Sequence, residues 1–109
     1  MARIADASGN TITDKAEACN EYVTKTPGDS QSVAYTGTAG TISNALNSRG
    51  VRVVVTSAGF VKIAPSPTAT TTDIYMPANV PEYFACNVGD KVSAIQLSSG
   101  GTLYVTEMK

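Results

Sequence analysis

Acid–base and nucleophilic chemistry has few candidate side chains in this sequence. The 109 residues contain no histidine, so no Ser–His–Asp or Cys–His arrangement can form and the usual proton-transfer group is missing. The carboxylates Asp73, Glu82 and Asp90 stand in predicted turns and at strand edges. Solvated surface positions are the ordinary interpretation of such carboxylates. From these residues we expect a protein that is not an enzyme.

Motifs for metals and cofactors are equally sparse. Cys19 and Cys86 are the only cysteines and stand far apart in the sequence, unlike the close pairs of metal motifs. We expect two reduced thiols, with a Cys19–Cys86 disulfide as the alternative. Residues 37–40 lack the lysine and the following helix of a phosphate-binding loop. No run of acidic residues predicts a calcium site, so we expect no cofactor and no bound metal.

Charge and hydropathy argue against two classes of partner. Eight Lys and Arg residues against nine Asp and Glu residues give a net charge of −1. The chain therefore lacks the basic excess with which a protein neutralises nucleic-acid phosphates. No stretch approaches the roughly 20 apolar residues of a membrane-spanning helix, and the first residues lack the apolar stretch of a signal peptide. We expect no nucleic-acid partner, no membrane association and synthesis in a cytosol.

Tyrosine supplies most of the aromatic surface, because the chain has five tyrosines, two phenylalanines and no tryptophan. A tyrosine combines an apolar ring with a polar hydroxyl, and it is enriched at protein interfaces. Packing at the edge of the core is the alternative for each of them, and the lack of tryptophan disfavours a sugar-binding platform. We assign Tyr35, Tyr75 and Tyr83 to contacts between subunits.

Two regions of the chain differ in their patterning. Residues 1–31 are polar and rich in turn formers, with a possible short helix at 14–24 and a predicted turn at 26–29. Residues 32–109 contain about seven or eight short β-patterned runs at intervals of 8–12 residues, as in a sandwich or small barrel. We predict an all-β fold, in which a jelly-roll-like β-sandwich at 32–109 follows an N-terminal arm at 1–31.

Two tight links within the second region predict antiparallel hairpins. One joins the β-branched run 51–56 to the run 60–64, and the other joins 91–97 to 102–107 across Ser-Ser-Gly-Gly. The hydrophobic phase changes within 91–97, which predicts either burial on both faces or a bulge.

Two further stretches have ambiguous patterns. The stretch 41–46 fits a short strand or a single helical turn. The Pro- and Thr-rich stretch 65–72 fits a plain surface loop or a loop that reaches a neighbouring subunit.

Several stretches in residues 51–108 resemble a family of small bacteriophage virion proteins, the capsid decoration or cement proteins. The most specific of them read PEYF at 81–84, KVSAIQ at 91–96 and GGTLYVTE at 100–107. The resemblance implies a β-sandwich or jelly-roll core and frequent assembly as trimers over the junctions between capsomers. It also implies a place on the capsid surface of the virion and the major capsid protein as partner.

The expected function is therefore capsid decoration, in which the protein binds the outside of the head shell and bridges capsid subunits. Residues 1–31 would clamp the shell, with Arg3, Ile4 and Tyr22 as the contacts, and an arm that stays disordered is the alternative. The alternative function is a receptor- or carbohydrate-binding module associated with a tail fibre or head fibre.

Overall fold

The computed structural model describes residues 26–109, which form eight β-strands and no helix. The strands are β1 (Pro27–Tyr35), β2 (Gly40–Thr41), β3 (Gly50–Val55), β4 (Gly59–Ala64), β5 (Ile74–Met76), β6 (Glu82–Ala85), β7 (Lys91–Gln96) and β8 (Gly101–Met108). The prediction of an all-β fold is confirmed over this range. The helix predicted at 14–24 lies outside the described residues.

The strands form two four-stranded sheets, and every pairing within them is antiparallel. Sheet A has the order β1-β8-β3-β6, and sheet B has the order β2-β7-β4-β5. The two sheets pack together around one shared core, so the predicted β-sandwich is confirmed.

The core consists of the inward-facing residues of both sheets. In β3, the side chains of Val51, Val53 and Val55 are fully buried, whereas Arg52 and Val54 point outward. This alternation follows from the strand geometry, in which successive side chains lie on opposite faces. The same alternation in the other strands supplies most of the remaining large core side chains, which are Tyr35, Val61, Met76, Val92, Leu103 and Val105. The loop between β2 and β3 adds Ile42 and Leu46.

Both predicted hairpins are wrong, because each tight link carries the chain from one sheet to the other. β3 belongs to sheet A and β4 to sheet B, while β7 belongs to sheet B and β8 to sheet A. Near these links the backbone pairs with other partners. The N–H of Thr56 donates to the carbonyl of Thr102 at 3.0 Å, and the N–H of Leu97 donates to the carbonyl of Ala58 at 3.1 Å. The links are therefore arches between the two sheets.

The first strand begins earlier than the sequence indicates. Residues 27–29, part of the predicted turn at 26–29, belong to β1, so the β structure starts before residue 32. Thr26 and Lys109 exchange two backbone hydrogen bonds of 2.6 and 2.7 Å, which tie the start of β1 to the end of the chain. The ambiguous stretch 41–46 is mostly loop, since only Thr41 within it belongs to β2.

The phase change in β7 reflects burial on both faces. Val92, Ser93 and Ala94 are all fully buried, and the register with β4 is continuous, without a bulge. The Pro- and Thr-rich loop covers Ser93 from outside, where the N–H of Ala69 donates to its Oγ at 3.0 Å. Ala69 is 2% exposed, so at this residue the loop packs against sheet B of its own chain.

Candidate functional site

The outer face of sheet A carries two cross-strand rows of side chains. Successive side chains of a strand lie on opposite faces of the sheet. In β1, β8, β3 and β6, every second side chain therefore lies on this outer side, and the side chains between them face the other sheet. The strand registers give the rows Ser32–Tyr104–Val54 and Ser30–Thr106–Arg52–Tyr83. We call these seven residues the outer face.

An open groove of about 480 Å³ runs over the part of this face formed by β1, β8 and β3. Arg52, Val54, Tyr104 and Thr106 line it together with residues of β1. Arg52 is the one charged side chain in the lining. The groove therefore combines one cation with aromatic, aliphatic and hydroxyl surface.

Exposure makes this chemistry accessible to a partner. Tyr104 is 49% exposed and Tyr83 is 46% exposed, and the two flank the half-buried side chains of Arg52 and Val54. Tyrosine and arginine are enriched among the residues that dominate binding energy, whereas lysine and carboxylates are depleted from the centres of interfaces. The composition of the outer face is thus typical of a protein-binding surface.

Hydrogen bonds hold the β1 wall of the groove in place. The hydroxyls of Ser30 and Thr106 lie 2.9 Å apart and bridge β1 to β8. The amide side chain of Gln31 donates to the carbonyl of Asn44 at 2.9 Å and accepts the N–H of Asn44 at 3.1 Å. This two-way pairing fastens β1 to the loop between β2 and β3, so the groove is preformed.

The structure describes some of the residues that the sequence assigns to contacts, but not all of them. Arg3, Ile4 and Tyr22 lie outside the described residues. Tyr75 on β5 and Tyr83 on β6 are exposed, at 51% and 46%.

Tyr35 does not fit its assignment to a subunit contact. It is 2% exposed and belongs to the core of its own chain. Its hydroxyl donates to the carbonyl of Ser57 and accepts the N–H of Ser57 at 3.2 Å. Burial raises the pKa of Tyr35, and the hydrogen bond to the Ser57 backbone opposes this only in part. The residue stays neutral and stabilises the arch between β3 and β4.

The sequence alone does not indicate the groove, because the groove depends on the register between strands that are distant in sequence. The alternation of Thr102, Tyr104 and Thr106 was visible in the sequence, and it correctly indicates one shared face of β8. Arg52 joins that face only because β3 pairs directly with β8, opposite Thr106. No local pattern in the sequence specifies this pairing between distant segments.

The described residues hold little that is reactive. Cys86 is a free thiol that donates to the carbonyl of Ser48 at 3.3 Å. Burial raises the pKa of Cys86, and the nearby carboxylate of Asp90 raises it further. Within residues 26–109, no group of three His, Cys, Asp or Glu side chains is placed to hold a metal ion. No helix in that range is long and apolar enough to cross a membrane.

No protein-family profile, curated protein or solved structure matches this chain.

Proposed function

We propose that this chain is a non-enzymatic bacteriophage capsid decoration protein, which binds the outside of the head shell and bridges neighbouring capsid subunits. The observation that carries the proposal is a β-sandwich with an accessible outer face of tyrosine, arginine and hydroxyl side chains. Such a face can adhere to a protein surface without chemistry at any one residue. The likeness of residues 51–108 to decoration proteins supports the same function.

The strand order supports a fold of the type that viral shells use. β1 pairs with β8, β2 with β7, β3 with β6 and β4 with β5, as in one long hairpin. The pairings of β8 with β3 and of β7 with β4 roll this hairpin into two sheets. We interpret this order as a jelly roll, an architecture found in viral capsid proteins and lectins.

Assembly of several copies would raise the affinity of such a protein for the shell. Decoration requires many contacts around a symmetric junction, and a homotrimer that engages several sites gains affinity through effective concentration. The net charge of −1 keeps repulsion between neighbouring copies small. The proposed partners are therefore the major capsid protein and further copies of this chain, at the capsid surface of the virion.

The groove also favours a second candidate, a receptor- or carbohydrate-binding module on a tail or head fibre. Its lining combines the ring of Tyr104, the guanidinium of Arg52 and several hydroxyls, which suits the stacking and hydrogen bonding that sugars require. Jelly rolls in lectins use the same architecture for this purpose. The groove is open and lies on the face of a sheet, which favours a protein surface over a single enclosed sugar.

Co-sedimentation tests the proposal directly. Full-length protein is mixed with empty shells assembled from the major head protein of the same genome, and the bound fraction is measured. We expect saturable binding at a fixed number of copies per shell, seen as added density outside the shell in micrographs. Failure to bind shells, together with specific binding on a glycan array, would establish the fibre module instead.

A further inference from the structure

The guanidinium of Arg52 has no anionic partner among the described residues. The one ion pair within that range involves Glu107, and none of the seven residues of the outer face is a carboxylate. Arg52 is nevertheless half buried, between Thr106 and Tyr83 on the neighbouring strands. A partly desolvated guanidinium is stabilised by a carboxylate that accepts its N–H groups. The outer face is therefore suited to an occupant with acidic side chains.

Apolar surface lies directly beside this cation. Val54 shares the outer side of β3 with Arg52, and Tyr104 is its partner on β8. Tyr104 is 49% exposed, and both side chains line the open groove. Burial of such surface stabilises a contact. The groove therefore favours an occupant that carries apolar side chains next to its acidic ones.

Residues 14–24, which we call the acidic segment, carry the required charge. Asp14, Glu17 and Glu21 stand against the single cation Lys15. In the helix predicted for this stretch, spacings of three and four residues place the three carboxylates on one side. The acidic segment can therefore present several carboxylates to one guanidinium.

The acidic segment also carries an apolar stripe. Ala18, Cys19, Tyr22 and Val23 recur at helical spacing, and in the predicted helix they lie next to the carboxylates. A helix of this length is shorter than the roughly 12–15 residues that stand alone in water, so it requires a surface on which to pack. The cation and the apolar lining of the groove match the two sides of this helix.

The acidic segment leads directly into the strand that forms one wall of the groove. Lys25 alone separates it from Thr26, whose backbone pairs with that of Lys109 beside the start of β1. From there, Ser30 in the groove wall is about 13 Å away along the strand. The predicted helix would be about 16 Å long, and the four strands of sheet A span about 14 Å. The acidic segment therefore reaches the groove and Arg52 without a long connection.

We propose that the acidic segment docks on the outer face of its own chain. Its carboxylates contact Arg52, and its apolar stripe covers Tyr104 and Val54. Opposite charges fix the orientation of the segment, and the burial of apolar surface supplies affinity.

This inference deepens the proposed function, and its consequence for the shell rests on that function. A capsid surface that binds the outer face must displace the acidic segment, so the free protein is closed and the shell-bound protein is open. Displacement also frees the residues before β1, among which the expected shell contacts Arg3, Ile4 and Tyr22 stand. Arg52 contacts the segment and the shell in turn, so its reversal opens the face and also removes the cation that the shell would contact.

A nitroxide on the acidic segment tests the contact in the full chain, without any shell. The label is attached at Asn20→Cys, which lies opposite the apolar stripe in the predicted helix. Cys19→Ala and Cys86→Ala remove the two native thiols. NMR compares the amide intensities with the label oxidised and reduced, because an oxidised nitroxide broadens the signals of nearby amides.

We expect the loss of intensity to be confined to the outer face. The amides of Ser32, Arg52 and Tyr104 should broaden, whereas the amide of Lys62, an exposed residue on β4 of sheet B, should keep its full intensity. Labelled protein mixed with isotope-enriched protein that lacks the label should show no broadening, because the contact lies within one chain.

Charge reversal tests the role of Arg52 in the contact. Arg52→Glu should restore the lost intensities, and the further change Glu17→Arg/Glu21→Arg should bring the broadening back. Arg49→Glu is the matched control, since it makes the same charge change on an exposed loop residue outside the groove, and it should leave the broadening unchanged. Broadening that persists in Arg52→Glu would overturn the inference.

Two further outcomes would also overturn it. One is full intensity across the outer face with the label oxidised, which would show that the face is open in the free protein. The other is broadening in the mixed sample, which would place the acidic segment of a neighbouring copy on the face. Both outcomes leave capsid decoration standing, because co-sedimentation with shells tests that function separately. Conversely, broadening as expected together with no shell binding would remove decoration and leave the contact.

Discussion

The hydroxyl of Tyr35 and the backbone of Ser57 form two hydrogen bonds with each other, one in each direction. Tyr35 ends β1, and Ser57 lies in the arch between β3 and β4, so this pair fastens the arch to a strand distant in sequence. The relationship explains why a tyrosine with a polar group is buried in an otherwise apolar core, and it makes a direct prediction.

Tyr35→Phe is expected to lower the free energy of unfolding by about 1–2 kcal/mol. The ring remains and still fills the core, but the N–H and C=O of Ser57 lose their partner. Urea denaturation measures the change, with Tyr104→Phe as the control, because Tyr104 is half exposed and lines an open groove. Equal losses for both variants would contradict the role of the Tyr35 hydroxyl.

Strand content could be predicted from the sequence, whereas strand partners could not. The alternation in Val51–Val55 and in Thr102–Thr106 reports which side chains face inward, and the structure agrees. A turn signal such as Ser-Ser-Gly-Gly reports that the chain bends, but a hairpin and an arch both require a bend. The choice depends on distant contacts, such as the close approach of the Ile95 carbonyl to Gly59, where a side chain would clash.

The positions of the three tyrosines assigned to subunit contacts depend on the same choice of strand partners. Tyr75 and Tyr83 are on the surface, as a subunit contact requires, because their strands end the two sheets. Tyr35 is buried because its position in β1 has inward parity and faces the core. Neither distinction is visible locally, since all three tyrosines stand in similar β-patterned runs.

Ser93→Ala is expected to cost about 1–3 kcal/mol of stability. The Oγ of Ser93 is buried, accepts the N–H of Ala69 at 3.0 Å and lies 3.1 Å from the Oγ1 of Thr41. Removal of the hydroxyl leaves a buried N–H without a partner, and it loosens the loop from the outer side of sheet B. Thermal unfolding measures the effect against Ser98→Ala, an exposed position, and a loss no greater than that of the control would contradict the prediction.

Glu107→Ala is expected to destabilise the protein by about 1–3 kcal/mol, while Lys109→Ala changes little. Glu107 is 3% exposed, and its Oε2 accepts the N–H of Asn47 at 3.0 Å. Its Oε1 has no hydrogen bond and lies 3.4 Å from the Nζ of Lys109, a side chain that is half exposed. The ion pair with the exposed Lys109 contributes little stability. Loss of the buried Glu107 carboxylate, in contrast, leaves the N–H of Asn47 without its acceptor. Urea midpoints of the two variants test this asymmetry, and equal effects would contradict it.

Stability is expected to fall as the pH rises above about 8.5, and part of this loss belongs to Cys86. Its pKa is raised in the folded state, first by burial and then by Asp90. Above the unfolded value of about 8.5, the unfolded chain therefore loses the thiol proton before the folded chain does. The contribution of the Cys86 thiol to the free energy of unfolding is therefore fully present below that pH, and it is lost as the pH rises toward the pKa of the folded state.

Urea denaturation of reduced protein between about pH 7 and pH 11 measures this contribution. The wild type should lose stability more steeply than Cys86→Ala across that window, whereas Tyr35→Phe should differ in slope only from about pH 10 upward, where tyrosine titrates. Parallel pH profiles for the wild type and Cys86→Ala would show that the thiol titrates alike in both states.

Arg52→Glu is expected to weaken binding to empty shells by about tenfold to a hundredfold, without loss of stability or self-association. Arg52 is the cation of the groove and lies opposite Tyr83 on the outer face, so the substitution reverses the charge at the centre of the proposed contact. Arg49→Glu is the matched control, because it makes the same charge change on an exposed loop residue outside the groove. Co-sedimentation at several salt concentrations compares the two variants. Equal weakening by both would indicate a dependence on net charge alone, and the outer face would then lose its place as the docking surface.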